Sequence, residues 1–140
     1  MSAENPFFQF KSDVESVIGK IENFPEKLRF GNNSIIFSDP KSNFSLVVEQ
    51  NPMPVGGELE WALREDDEYI KRSEKTGEEL TEFVAEIIKS IFASFGLSLV
   101  EIDAQTGNIY IVFPSRKYVF SVYGDGELVV GSVEEVPGES

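Results

Sequence analysis

The segment from residue 76 to residue 133 leaves this chain little freedom in what it can fold into. Leu80, Phe83, Val84, Ile87, Ile88, Ile91, Phe92 and Phe95 recur at the spacing that gathers apolar side chains on one stripe of a helix, over about residues 78–95. Thr76 and Glu79 have capping-box spacing, and Gly96 stands where a helix takes its C′ residue. Four runs of strand character follow, 97–102, 108–113, 118–123 and 127–133, with turn residues at 103–108, 114–117 and 124–126. A stripe of that kind must be buried, and a β-meander offers the face to bury it. The segment therefore predicts a helix lying on antiparallel sheet.

The first half reads the same way. Asn5 can cap and Pro6 can open a helix, and Ser12 with Glu15 offers a second capping box. Phe7, Phe10, Val14, Val17, Ile18, Ile21 and Phe24 make its stripe, and Pro25 ends it. Strand-like runs come at 28–30, 34–38, 43–49 and 58–64. They are broken by a turn at 39–42 and a loop at 51–57 that holds two prolines and two glycines. Strand 58–64 alternates cleanly, with Leu59, Trp61 and Leu63 inward and Glu58 and Glu60 outward. By its phase Trp61 belongs to the core. The second-half strands are apolar on both faces, as in Tyr110 and Val112 against Ile109, Ile111 and Phe113. Such a sheet is covered twice, or one face is an interface. An acidic polar segment, 65–75, joins the halves.

Helix-then-strands occurs twice, and the residues themselves repeat. At a constant offset of 76, Gly31, Asn32, Ile35, Phe37, Lys41, Phe44 and Ser45 fall on Gly107, Asn108, Ile111, Phe113, Lys117, Phe120 and Ser121. The helical stripes superpose at an offset of 70, Val17, Ile18 and Ile21 on Ile87, Ile88 and Ile91. The expectation is an α+β fold of two helices packed on antiparallel β-sheet, built by internal duplication of a helix-plus-β-meander unit about a pseudo-twofold axis. It spans residues 1–140 as a single domain, with repeat halves at about 6–64 and 76–133 and a flexible tail at 134–140. At 140 residues such a chain buries roughly two thirds of its unfolded surface.

The residue inventory removes most catalytic chemistry. There is no histidine, hence no Ser-His-Asp or Cys-His arrangement, and no cysteine, hence no thiolate nucleophile or disulfide. Gly124-Asp125-Gly126 lacks the third glycine of a dinucleotide fingerprint and joins two strands, so it reads as a hairpin turn. Glu65-Asp66-Asp67-Glu68 lacks the spacing of a calcium loop. No catalytic residue, metal site or cofactor is expected. The first ten residues lack a basic region and a long apolar run, so no signal peptide is expected, and no run is long enough to span a membrane. A cytoplasmic location follows as an expectation.

What remains is charge. The net charge is −13, which repels phosphate and makes a basic protein the complement, with no nucleic acid and no membrane as direct partner. Glu58, Glu60, Glu65, Asp66, Asp67 and Glu68 meet Arg64 alone, and with Tyr69 they form the expected partner-binding set. Asp125, Glu127, Glu134, Glu135 and Glu139 make a second acidic region, and Tyr118 and Tyr123 stand as further aromatic candidates beside the rim. Replacing Glu65, Asp66 and Asp67 together by Lys is expected to leave the fold intact. The functional expectation is a non-catalytic inhibitor of the immunity-protein, antitoxin or phage-inhibitor kind. The alternatives are an acidic secretion-type chaperone, homodimeric and holding an extended client, and a small-ligand-binding domain.

Overall fold

In the computed structural model the described residues are 6–20, 26–31, 33–39, 41–50, 58–71, 75, 77–103, 105–123 and 127–137. The first half runs α1 (Pro6–Ile18), β1 (Leu28–Phe30), β2 (Ser34–Ser38), β3 (Phe44–Gln50), β4 (Leu59–Glu65) and β5 (Glu68–Tyr69). The second runs α2 (Gly77–Ala93), β6 (Val100–Asp103), β7 (Asn108–Val112), β8 (Lys117–Val122) and β9 (Val130–Glu135). The class is α+β, two helices on a nine-stranded antiparallel sheet.

The helices end where local backbone chemistry stops them. α1 does not run to residue 24. Gly19 takes φ 86°, a left-handed conformation that costs glycine little, and its N–H donates to the Glu15 carbonyl at 2.9 Å. Ile21, Phe24 and Pro25 lie outside the described residues, as do Asn5 and Thr76, so the capping readings at Asn5 and Thr76 fall outside as well. α2 closes with both bonds of a Schellman motif, Leu97 N–H to the Phe92 carbonyl at 3.1 Å and Gly96 N–H to Ala93 at 2.9 Å.

The strand order is β1-β2-β3-β4-β9-β8-β7-β6, so each half contributes a four-stranded meander and the two meet where β4 pairs β9. The pairing divides at Leu63. Leu59 through Ala62 pair with β9, whereas Arg64 and Glu65 pair with Tyr69 and Glu68 of β5. Ile70 bridges the fork, donating to the Leu63 carbonyl and accepting from Val129 N–H. The start of the acidic segment is thus a hairpin, not a loop. β9 continues through Glu135, two residues into the expected tail, because Glu134 and Glu135 pair with Val119 and Tyr118. The pairing register does not carry the constant offset of 76. Phe37 faces Leu46, but the offset positions Phe113 and Val122 are not partners; their N–H groups donate to Arg116 and Gly107.

Both helices lie on one face. Phe10 of α1 is fully buried, with ring centroids 6.4 Å from Phe37 in β2, 5.9 Å from Phe113 just after β7, 5.2 Å from Tyr118 and 6.2 Å from Phe120. In a flat sheet β2 and β7 would stand about 24 Å apart, five strand spacings. The sheet therefore curls around α1. α2 lies along the opening, with Phe92 against Phe37 and with Lys27, just before β1, donating to the Ser94 carbonyl at 2.8 Å.

Two buried carboxylates fasten each helix to a hairpin turn of the other half. Asp13 of α1 accepts from Arg116 Nη1 at 2.9 Å and from the Tyr118 hydroxyl at 2.6 Å. Asp39, in the β2–β3 turn, accepts from Ser90 of α2 at 2.7 Å and from Lys41 N–H at 2.9 Å. Every carboxylate oxygen in these clamps has a donor, which is the condition for keeping a charge inside.

Trp61 is 1% exposed and spans three strands, its indole N–H reaching the Ser121 carbonyl at 3.0 Å across Gly131 of β9. A Cβ at Gly131 would fall on that carbonyl oxygen and on the indole. Glycine within a strand ordinarily costs about 0.5–1 kcal/mol relative to alanine. Here the order should invert: Gly131→Ala should lose about 1–3 kcal/mol, read as a lower urea midpoint at unchanged slope.

Candidate functional site: an acidic band on the open sheet face

Strand alternation places half of every strand's side chains on the face the helices leave open. Register then decides which of them meet. Ser34 stands opposite Glu49, Glu49 opposite Glu60, Glu60 opposite Ser132, Ser132 opposite Ser121, Ser121 opposite Asn108, and Asn108 opposite Asp103. One polar row therefore crosses seven strands, β2 to β6. In the neighbouring row Glu134 faces Val119, Val119 faces Tyr110, and Tyr110 faces Glu101. The row's counter-charge is Lys117, 3.9 Å from Glu101 and over the Tyr110 ring at 4.7 Å.

The band gathers around Tyr123, 39% exposed, whose hydroxyl donates to Glu60 at 3.3 Å. Its pKa is raised, first by burial, then by the Glu60 charge and hydrogen bond, and further by Glu58 and Glu134. Glu49 and Glu60 face each other directly as like charges, an arrangement that opposes folding and that a cation would relieve.

The expected partner-binding residues thus divide in two. Glu58 and Glu60 join the band at the start of β4. Glu65, Asp66, Asp67, Glu68 and Tyr69 form the β4–β5 hairpin tip, which begins five residues, about 17 Å, further along the strand. The tip neutralises part of its own charge. Asp67 lies 3.7 Å from Arg29 and 3.8 Å from Arg64, and Arg64 donates to the Asp67 carbonyl at 2.7 Å and stacks over Tyr69. Asp66 and Asp67 hold φ of 54° and 67°, the two-residue hairpin turn that favours Asn, Asp and Gly. The triple lysine change is for that reason not neutral to the fold, since lysine fits those two backbone positions poorly. Asp66→Asn with Asp67→Gly removes the charge and keeps the turn, so it should be the more stable of the two variants by about 1 kcal/mol or more in urea unfolding.

Tyr118 is 2% exposed and does not stand on the acidic rim; it belongs to the Asp13 clamp on the inner face. Glu135 sits beside that clamp, accepting from Gln9 at 2.8 Å and lying 3.9 Å from Arg116. Asp13, Arg116 and Glu49 carry no signal in the sequence that marks them out, and Asp103, expected in the 103–108 turn, ends β6 instead. Strand alternation alone could have placed Glu49 on the outer face of its strand, but its neighbour Glu60 is fixed only by long-range register. Among the described residues no cluster of three His, Cys, Asp or Glu is placed to hold a metal, and no helix is long and apolar enough to cross a membrane.

Burial, and then the bond to Asp13, push the Tyr118 pKa well above its ordinary value of 10.0. A raised folded pKa contributes stability that is present below about pH 10 and lost as pH rises above it. Urea midpoints measured from about pH 8 to about pH 11 should therefore fall, and Tyr118→Phe should flatten that fall. Compared with protein-family models, with curated proteins and with solved structures, the chain matches none.

Proposed function

We propose that this chain is a non-catalytic captor of a basic protein, an inhibitor of the immunity-protein, antitoxin or phage-inhibitor kind, and that the acidic band is its working surface. The observation that carries the reading is the Glu49–Glu60 pair, like charges set directly opposite on an open face, with Glu58 and Glu134 converging on the same tyrosine. A stable fold gains nothing from that repulsion. A cationic partner converts it into binding energy and, through the −13 charge, into faster encounter. The β4–β5 tip is a second, separate acidic contact. The same reading places the protein in the cytoplasm as a single domain with no cofactor.

It also takes the scaffold as a duplicated helix-plus-meander with a pseudo-twofold axis between β4 and β9. In favour stand the helix followed by a four-stranded meander in each half, β5 being extra to the first, and the antiparallel junction of β4 with β9. The unequal hairpin registers require a length change in one copy's turn.

The test is Glu49→Gln, Glu60→Gln and Glu134→Gln combined, with the wild type as bait for partners in a pull-down. Stability should hold or rise by a few tenths of a kcal/mol as the like-charge pair disappears, while capture of the basic partner is lost. Wild-type affinity should fall at least about tenfold between low and high salt. Capture that ignores both salt and the triple change would end the proposal.

A further inference from the structure

β6 closes one end of the sheet, and its outer edge has no pairing strand among the described residues. The phase of its ladder is set by Val112 N–H, which donates to the Leu99 carbonyl at 2.9 Å. Leu99, Glu101 and Asp103 accordingly turn their backbone groups toward β7, and Val100 and Ile102 turn their N–H and C=O outward. Side chains alternate across the same four residues. Val100 and Ile102 are on the helix side, Ile102 43% exposed; Glu101 and Asp103 are on the open face, where Asp103 ends the polar row. On the helix side the edge adjoins a groove of about 350 Å³ between α2 and the chain entering β6, lined by the apolar Ala93, Leu97, Leu99 and Val100 and by two serines, Glu86 and Lys89.

We infer that this edge accepts an extended segment of the basic partner as an added strand, with apolar and basic side chains alternating along it. The inference rests on the proposed capture of a basic partner and says where a flexible part of that partner goes. An added strand would take hydrogen bonds from Val100 and Ile102. Its side chains on the helix side would enter the groove, which wants apolar groups. Those on the open side would fall beside Glu101 and Asp103, the β6 end of the acidic band, where Lys117 lies 3.9 Å from Glu101 and Asp103 stands next to the added strand to take its positive charge. A second copy of this chain fits badly. Antiparallel pairing of two β6 edges centred on Ile102 would set Glu101 of each copy opposite Asp103 of the other, like charge on like charge. β6 carries neither the proline nor the lysine that commonly guards an edge, and its two carboxylates repel another copy while attracting a cationic strand.

The probe is a synthetic peptide of alternating valine and lysine, about nine residues long. Two controls accompany it, one with every second backbone nitrogen methylated and one with glutamate in place of lysine. Binding is followed by calorimetry and by amide hydrogen exchange. The lysine peptide should bind and slow exchange at Val100 and Ile102, and the methylated and glutamate peptides should each bind at least about tenfold more weakly. Ile102→Pro removes an N–H that no internal ladder bond uses, so its urea midpoint should stay near wild type while peptide affinity drops at least about tenfold. A Glu101→Lys, Asp103→Lys variant should exchange its preference to the glutamate peptide. If both lysine peptides bind equally and exchange at Val100 and Ile102 is unchanged, the edge is not the site, and the acidic band alone captures charge. If neither lysine peptide binds, the edge and the basic-partner reading fall together.

Discussion

The contact of Phe10 with four rings governs the shape of this molecule. A nine-stranded sheet with an apolar inner face needs far more cover than two helices can give it laid flat. Curling the sheet solves the problem, because rings from β2, β8 and the end of β7 then converge on one side chain of α1. Edge-to-face geometry, near 85° to Phe37, Phe113 and Tyr118, adds specificity to that burial. With the sheet curled, α2 occupies the opening, and the clamps at Asp13 and Asp39 hold each helix against a turn from the opposite half.

The division of labour between the two faces follows from this. All helical cover is spent on the inner face, so the outer face, apart from Ser45 and Val47 of β3, which are buried, leaves its side chains answerable to solvent and partners. Glu49, Glu60, Asp103 and Glu134 are found there because alternation sends them outward, and they form one band because the register aligns them. Where packing is critical the chain gives up side chains instead. Gly131 leaves room for the Trp61 indole to cross β9, at the junction through which the two meanders become one sheet.

Much of the scaffold was legible from local pattern. Periodicity located both helices and every strand of more than two residues, and it assigned Leu59, Trp61 and Leu63 to the core against Glu58 and Glu60 outside. The misses have local causes too. Gly19 stops α1 before Pro25 is reached, since a left-handed glycine with a bond back to Glu15 is a sufficient terminator. Asp66 and Asp67 read as part of an acidic polar segment; they are the turn of a hairpin, because aspartate tolerates the left-handed backbone such a turn demands. The repeat at a constant offset matched composition and turn residues without matching register.

By itself, the sequence determined which segments are helix and strand, which way the strand at 58–64 faces, and that the whole carries a strong negative charge. These are properties of neighbouring residues, and neighbours are enough to read them. Only the tertiary structure decided that β4 lies beside β9, that Glu49 meets Glu60 while Glu65 through Tyr69 stand apart, and that β6 has no second pairing strand among the described residues. Those outcomes come from pairings between residues tens of positions apart. Their partners are selected by the collective burial of one curved apolar face, and no short stretch of chain contains that information.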